Sequence, residues 1–60
     1  MLPLTRLSGD RFYLAAGLVR TVEARPDTFI TLTTGERVVV QEPPEVVAGR
    51  LLAWQRAANA

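Results

Sequence analysis

From Pro26 to Glu42 the chain reads PDTFITLTTGERVVVQE, and few folds accommodate that stretch. Thr28 to Thr33 is β-branched and aromatic, the composition that strands favour. Gly35 supplies the positive φ that a short hairpin loop needs. Arg37 to Gln41 then returns as a second strand. Pairing Ile30 and Leu32 with Val38 and Val40 makes one apolar face, with Phe29, Thr31 and Thr33 on the other. Before the hairpin, Pro26 sets φ for a turn, Asp27 can bond its own backbone, and Thr28 opens the strand.

The remaining punctuation is regular. Ser8-Gly9-Asp10 is a turn signal, Ala16-Gly17 a weaker one, and Pro43-Pro44 a hard boundary. Strands are expected near Leu2–Leu7, Arg11–Ala15 and Leu18–Arg25. Pro3 lacks an N–H, which places the first strand at an edge near its start. In the third strand Leu18, Val22 and Ala24 are expected to face inward. Arg20 and Val19 break that alternation. A helix is expected over about Pro44–Ala58, with Pro44 at its first position and Glu45 in its first turn. Val47, Leu51, Trp54 and Ala58 fall at helical spacing and form one stripe, which suits packing on the sheet. Gly49 inside the helix is either tolerated or marks a close backbone approach, which would fit helix–helix contact in an oligomer. The expected architecture is α+β: one domain over 1–60, a small antiparallel sheet of about five short strands, then one amphipathic helix.

A chain of 60 residues has little interior, and this one has no Cys and no His. Disulfides and the usual zinc sites are therefore excluded as stabilisers. Self-association is the remedy left, so a homo-oligomer is expected. No segment has the apolar length of a membrane span, and the start lacks the apolar core of a signal peptide. Cytoplasmic residence is the resulting expectation.

The net charge is +1, and all 7 basic residues are Arg. They are dispersed rather than clustered as a basic patch, which does not favour a nucleic-acid partner. The carboxylates of Asp10, Asp27 and Glu36 sit at turns, where such residues serve local bonds. With no His, Cys or Lys, no catalytic residue is assigned. The glycines match no phosphate-binding loop, and neither cofactor nor metal is expected. Thr5, Arg6 and Arg11 could line an anion-binding edge, although solvated strand residues are the plainer reading. Trp54 could anchor a partner, although core packing against the sheet is the plainer reading.

The assembled residues resemble the small bacterial flagellar FlbD family, which includes the swarming-motility protein SwrD. The resemblance runs through Thr5-Arg6-Leu7 and Gly9, Phe12 and Leu14, Leu18-Val19 and Val22-Glu23. It continues through Pro26-Asp27-Thr28, Ile30-Thr31-Leu32 and Gly35, then Val40, Glu42, Val46 and Val47. It departs from the family pattern at Ser8 and Ala15, where the pattern has Asn. It departs again at Pro43, in place of a Ser or Thr helix cap. The resemblance implies a protein-interaction role without catalysis, supporting motor power and swarming at the stator or cytoplasmic face of the basal body. A flagellar motor or basal-body protein is the implied partner. Arg6, Arg11, Glu23, Arg25 and Asp27 are the first candidates for its contact surface, with Trp54 as anchor. Gly9, Pro26, Thr28 and Gly35 are assigned to turns.

A second resemblance differs in class. Met1-Leu2, Leu4-Thr5-Arg6 and Gly9-Asp10 are similar to the start of the carbon storage regulator CsrA family, small dimeric RNA-binding proteins of similar length. The Val-His-Arg run of that family before the helix is absent; Val40-Gln41-Glu42-Pro43-Pro44 stands there. RNA binding of this kind is the alternative function.

Overall fold

Two turns of the same build set the strand pairing. In the first, the Arg6 N–H donates to the Asp10 carbonyl at 2.8 Å and the Gly9 N–H to the Arg6 carbonyl at 2.9 Å. In the second, the Leu32 N–H donates to the Glu36 carbonyl at 2.8 Å and the Gly35 N–H to the Leu32 carbonyl at 2.9 Å. Gly9 and Gly35 adopt φ of 98° and 93°. This is the three-residue hairpin loop that ends on a left-handed residue. A Cβ on either glycine would meet nothing within 4 Å, so the requirement is conformational rather than steric crowding.

These turns organise a computed structural model that describes residues 1–59. Strands β1 (Leu2–Thr5), β2 (Arg11–Leu14), β3 (Val19–Ala24), β4 (Thr28–Leu32) and β5 (Arg37–Val40) precede helix α1 (Pro44–Asn59). The α+β class with five antiparallel strands and a terminal helix is as expected. The strands divide into a β1-β2 hairpin and a β3-β4-β5 sheet. An isolated bridge between Arg6 and Val40 joins them, beside a 2.8 Å bond from the Gln41 N–H to the Thr5 carbonyl. Followed across this bridge, the order is β2-β1-β5-β4-β3. Both β2 and β3 are left as open edges.

The core is built from one face of each element. Leu2, Leu4, Leu14, Ala16, Ile30, Leu32, Val40 and Val47 are buried, with Phe12, Val19, Val22, Val38 and Leu51 packed against them. The expected pairing of Ile30 with Val38 is observed, and Thr28 lies opposite Val40. Thr28 is itself buried, as the first residue of β4.

The third strand departs from its expected pattern. Val19 pairs with Leu32 and Thr21 with Thr31, so Arg20 is an extra residue in a β-bulge. The bulge resets the alternation, so that Val19 and Val22 both pack on the core. Leu18, expected inward, belongs instead to a 3-10 turn over Ala16–Leu18 and is 41% exposed. Ala24, also expected inward, is exposed at the end of the strand. Ala15 is the N-cap of the 3-10 turn and makes no side-chain cap bond. At α1, Pro43 caps with its carbonyl alone, accepting from the Val46 and Val47 N–H groups at 3.0 and 3.2 Å.

The helix stripe meets the sheets only in its first half. Val47 is fully buried and Leu51 half-buried, whereas Trp54 and Ala58 are exposed, contrary to core packing for the tryptophan. The cause is length: 16 helical residues run about 24 Å, while a four-residue strand such as β1 runs about 13 Å.

Within the chain itself no backbone approaches Gly49, and a Cβ there would meet nothing within 4 Å. Opposite outcomes follow for two glycine substitutions. Gly35→Val is expected to cost about 1–2 kcal/mol by forcing a side chain into the left-handed region. Gly49→Ala is expected to stabilise by up to about 1 kcal/mol through helix propensity. Urea midpoints at one fixed protein concentration check both signs; a neutral Gly35→Val would contradict the turn geometry.

Candidate functional site

Glu42 sits between the last strand and the helix, and its carboxylate holds three elements at once. Oε1 accepts the Thr5 backbone N–H at 2.9 Å, and Oε2 accepts the Thr5 hydroxyl at 2.9 Å. Arg50, two helical turns along α1, brings Nη1 to 3.5 Å from Oε2. The same Nη1 donates to the Pro3 carbonyl. The Glu42 side chain is 14% exposed. Burial pushes its pKa up, but the backbone N–H groups of Thr5 and Glu42, the Thr5 hydroxyl and the Arg50 charge outweigh it. The net result is a pKa below the ordinary glutamate value.

This arrangement agrees with the phase that the Gly9 turn gives the hairpin. The Thr5 N–H points to Glu42 and its carbonyl to Gln41, so both point away from β2. Thr5 and Arg11, directly opposite, are therefore a non-hydrogen-bonded pair. Strict alternation makes Leu4 and Phe12 a bonded pair, and Pro3 and Tyr13 non-bonded. That suits Pro3, which has no N–H to give. It also leaves the N–H and carbonyl of Arg11 and Tyr13 turned outward along the free edge of β2.

Above these residues lies a cleft of about 240 Å³. Pro3, Thr5, Arg11 and Tyr13 line it from the hairpin, and Glu42 and Arg50 from the far side. Arg50–Glu42 is the only ion pair among the described residues, so the Arg11 guanidinium has no carboxylate partner there. Tyr13 is 69% exposed. The cleft offers one free cation, an aromatic ring and a charge-balanced wall, which are the materials of a binding surface. No cluster of three His, Cys, Asp or Glu that could hold a metal occurs among the described residues.

The six candidate contact residues do not converge on one site. Arg6 places its guanidinium 4.3 Å from the Phe12 ring centre, so part of its charge is spent within the fold. Arg11 lines the cleft. Glu23 and Arg25 lie on the outer face of the three-stranded sheet, in a depression shared with Phe29, Thr31 and Arg37. Asp27 lines a different hollow beside Pro26, Gln41 and Pro44, and its backbone carbonyl closes the β3–β4 turn on the Arg25 N–H at 2.9 Å. Trp54 stands on the projecting half of α1. The sequence reading gives Glu42 no role beyond a matched position, and Arg50 only falls within the expected helix. Their spacing, a carboxylate just before a helix and an arginine eight residues on, was the available signal.

The fold is a small α+β domain whose polar cluster ties hairpin, sheet and helix together. A family model described as FlbD, flagellar and swarming motility proteins, matches residues 1–58, and the chain belongs to that family. No curated protein and no solved structure matches the chain. Membership associates the protein with flagellar and swarming motility. No helix among the described residues is long and apolar enough to cross a membrane.

The Glu42 cluster has a defined pH signature. Its folded pKa is depressed, so its stabilisation is complete above the ordinary value of 4.5 and is lost as pH falls through the folded value. Glu42→Gln is expected to lose about 1–3 kcal/mol at neutral pH. The gap between wild type and variant should close on acidification below 4.5. Urea unfolding of both proteins across that range checks it; a constant gap would contradict the charged clamp.

Proposed function

We propose that this protein is a non-catalytic interaction factor of the bacterial flagellar apparatus. It acts in the cytoplasm, at the stator or the cytoplasmic face of the basal body, and supports motor power during swarming, as the SwrD resemblance implies. The family match over residues 1–58 carries this reading. Its chemistry supports it: the chain has no His and no Cys, and Tyr13 and Trp54 stand exposed as large side chains suited to burial by a partner. Arg11 and Trp54 lead the proposed contact residues, followed by Glu23, Arg25 and Asp27, with Arg6 in a supporting place over Phe12. The protein also self-associates, because a small chain with a core of this size and no covalent or metal staple gains most from a partner subunit.

Deletion of the gene and complementation test the role. The wild-type chain should restore swarming, and Trp54→Ala should fold yet restore it poorly. Capture of a motor or basal-body protein should weaken in the same variant. Tight binding of structured RNA that falls steeply with salt would overturn the reading in favour of a CsrA-like activity. Full motility in the deletion strain would overturn it as well.

A further inference from the structure

The free edge of β2 is a two-fold pairing site. We propose that two copies of this chain join there as antiparallel neighbours, with Phe12 opposite Phe12 of the partner subunit on the two-fold axis. This rests on the self-association reading above and specifies its surface.

The edge itself is open. β2 contains no proline and no bulge, and of the usual devices that keep an edge strand from pairing it carries only one charge, Arg11. The other open edge, β3, carries the bulge at Arg20. Along β2 the outward-turned backbone groups belong to Arg11 and Tyr13, as the Thr5–Glu42 bonds show.

That parity leaves three two-fold registers, and the side chains choose among them. Centring on Arg11 sets two like charges directly opposite, which is unfavourable. Centring on Tyr13 pairs Arg11 with Ala15 of the partner subunit, a residue already committed to capping the 3-10 turn. Centring on Phe12 forms two bonded pairs, each Arg11 with the partner's Tyr13. It matches a cation with an aromatic ring at both ends. Thus the strand RFYL complements its own antiparallel copy, as an isologous interface requires.

The faces agree with this register. Phe12 lies on the core side of the hairpin, opposite buried Leu4, yet it is only half-buried. Arg6 covers one face of its ring at 4.3 Å, and in this register the partner's ring would continue the core across the axis. On the opposite face the 69% exposed Tyr13 would be covered beside the partner's Arg11. A second copy therefore covers the largest exposed ring of the hairpin and pairs the unmatched guanidinium of the cleft.

The chain has no native cysteine, so a single introduced thiol reports the axis. A non-bonded antiparallel pair holds its Cα atoms about 4.5 Å apart, inside the range a disulfide spans. Phe12→Cys should form a disulfide-linked dimer on mild oxidation, while Trp54→Cys, on the helix, should remain largely unlinked. Because Phe12 also packs on the core, Tyr13→Pro is a second probe. It removes an N–H that the hairpin does not use, so the variant should stay folded while its mass drops to that of the 6.6 kDa monomer. Wild-type mass above the monomer, linkage at position 12 and dissociation by Tyr13→Pro together support the proposal. An associated wild type that links through Trp54→Cys and survives Tyr13→Pro would overturn this edge and leave self-association standing. A folded wild-type monomer at micromolar concentration would overturn both.

Discussion

The carboxylate of Glu42 is where hairpin, sheet and helix meet. Both oxygens are engaged by Thr5, and the Arg50 charge stands at one of them. Hydrogen bonds to a charged group are worth more than neutral ones, and leaving such a group unsatisfied when buried costs still more. The hairpin's other ties to the rest of the chain are an isolated bridge, a backbone bond from Gln41, the Gln41 side-chain amide on the Leu7 carbonyl, the Arg50 guanidinium on the Pro3 carbonyl and the packing of its leucines and Phe12. A short two-stranded hairpin is marginal by itself in water, so its order depends on these attachments.

The same contact supports a choice made at a distance. The Gly9 turn chooses which residues of β1 and β2 share ladder bonds, and the Thr5 backbone, turned toward Glu42 and Gln41, holds that choice. That choice aims Arg11 and Tyr13 outward on the free edge. Arg50 meanwhile covers the Pro3 carbonyl on the other side of β1. One edge of the hairpin is sealed by side chains of the helix segment, and the other is left open beside exposed aromatic surface. For a chain assigned to a motility family, the open edge and the projecting half of α1 are the surfaces most available for assembly.

Much of the fold was legible because its signals are local. Gly9 and Gly35 announced two turns that share one geometry, and the alternation of Ile30, Leu32, Val38 and Val40 gave the central face. Pro44 and Glu45 marked the helix start. The errors arose where a local rule met a tertiary event. Arg20 broke the period of the third strand because it is a bulge, and no propensity foretells which way a bulge resets the alternation. Trp54 kept its place in the helical stripe, but the stripe outran the sheet. The site was less legible than the fold. Thr5 and Glu42 lie 37 positions apart, and neither spacing nor composition joins them. The candidate contact residues were taken from charge and exposure, and the fold distributes them over several faces.

Amide hydrogen exchange in wild type and Glu42→Ala tests the central role of this carboxylate most directly. In wild type the Thr5 and Gln41 amides should be protected nearly as well as the fully buried Ile30. In the variant they should exchange much faster, together with the β1–β2 ladder, while Ile30 keeps most of its protection. Fast exchange at Thr5 in wild type, or an unchanged Thr5 rate in Glu42→Ala, would contradict the account.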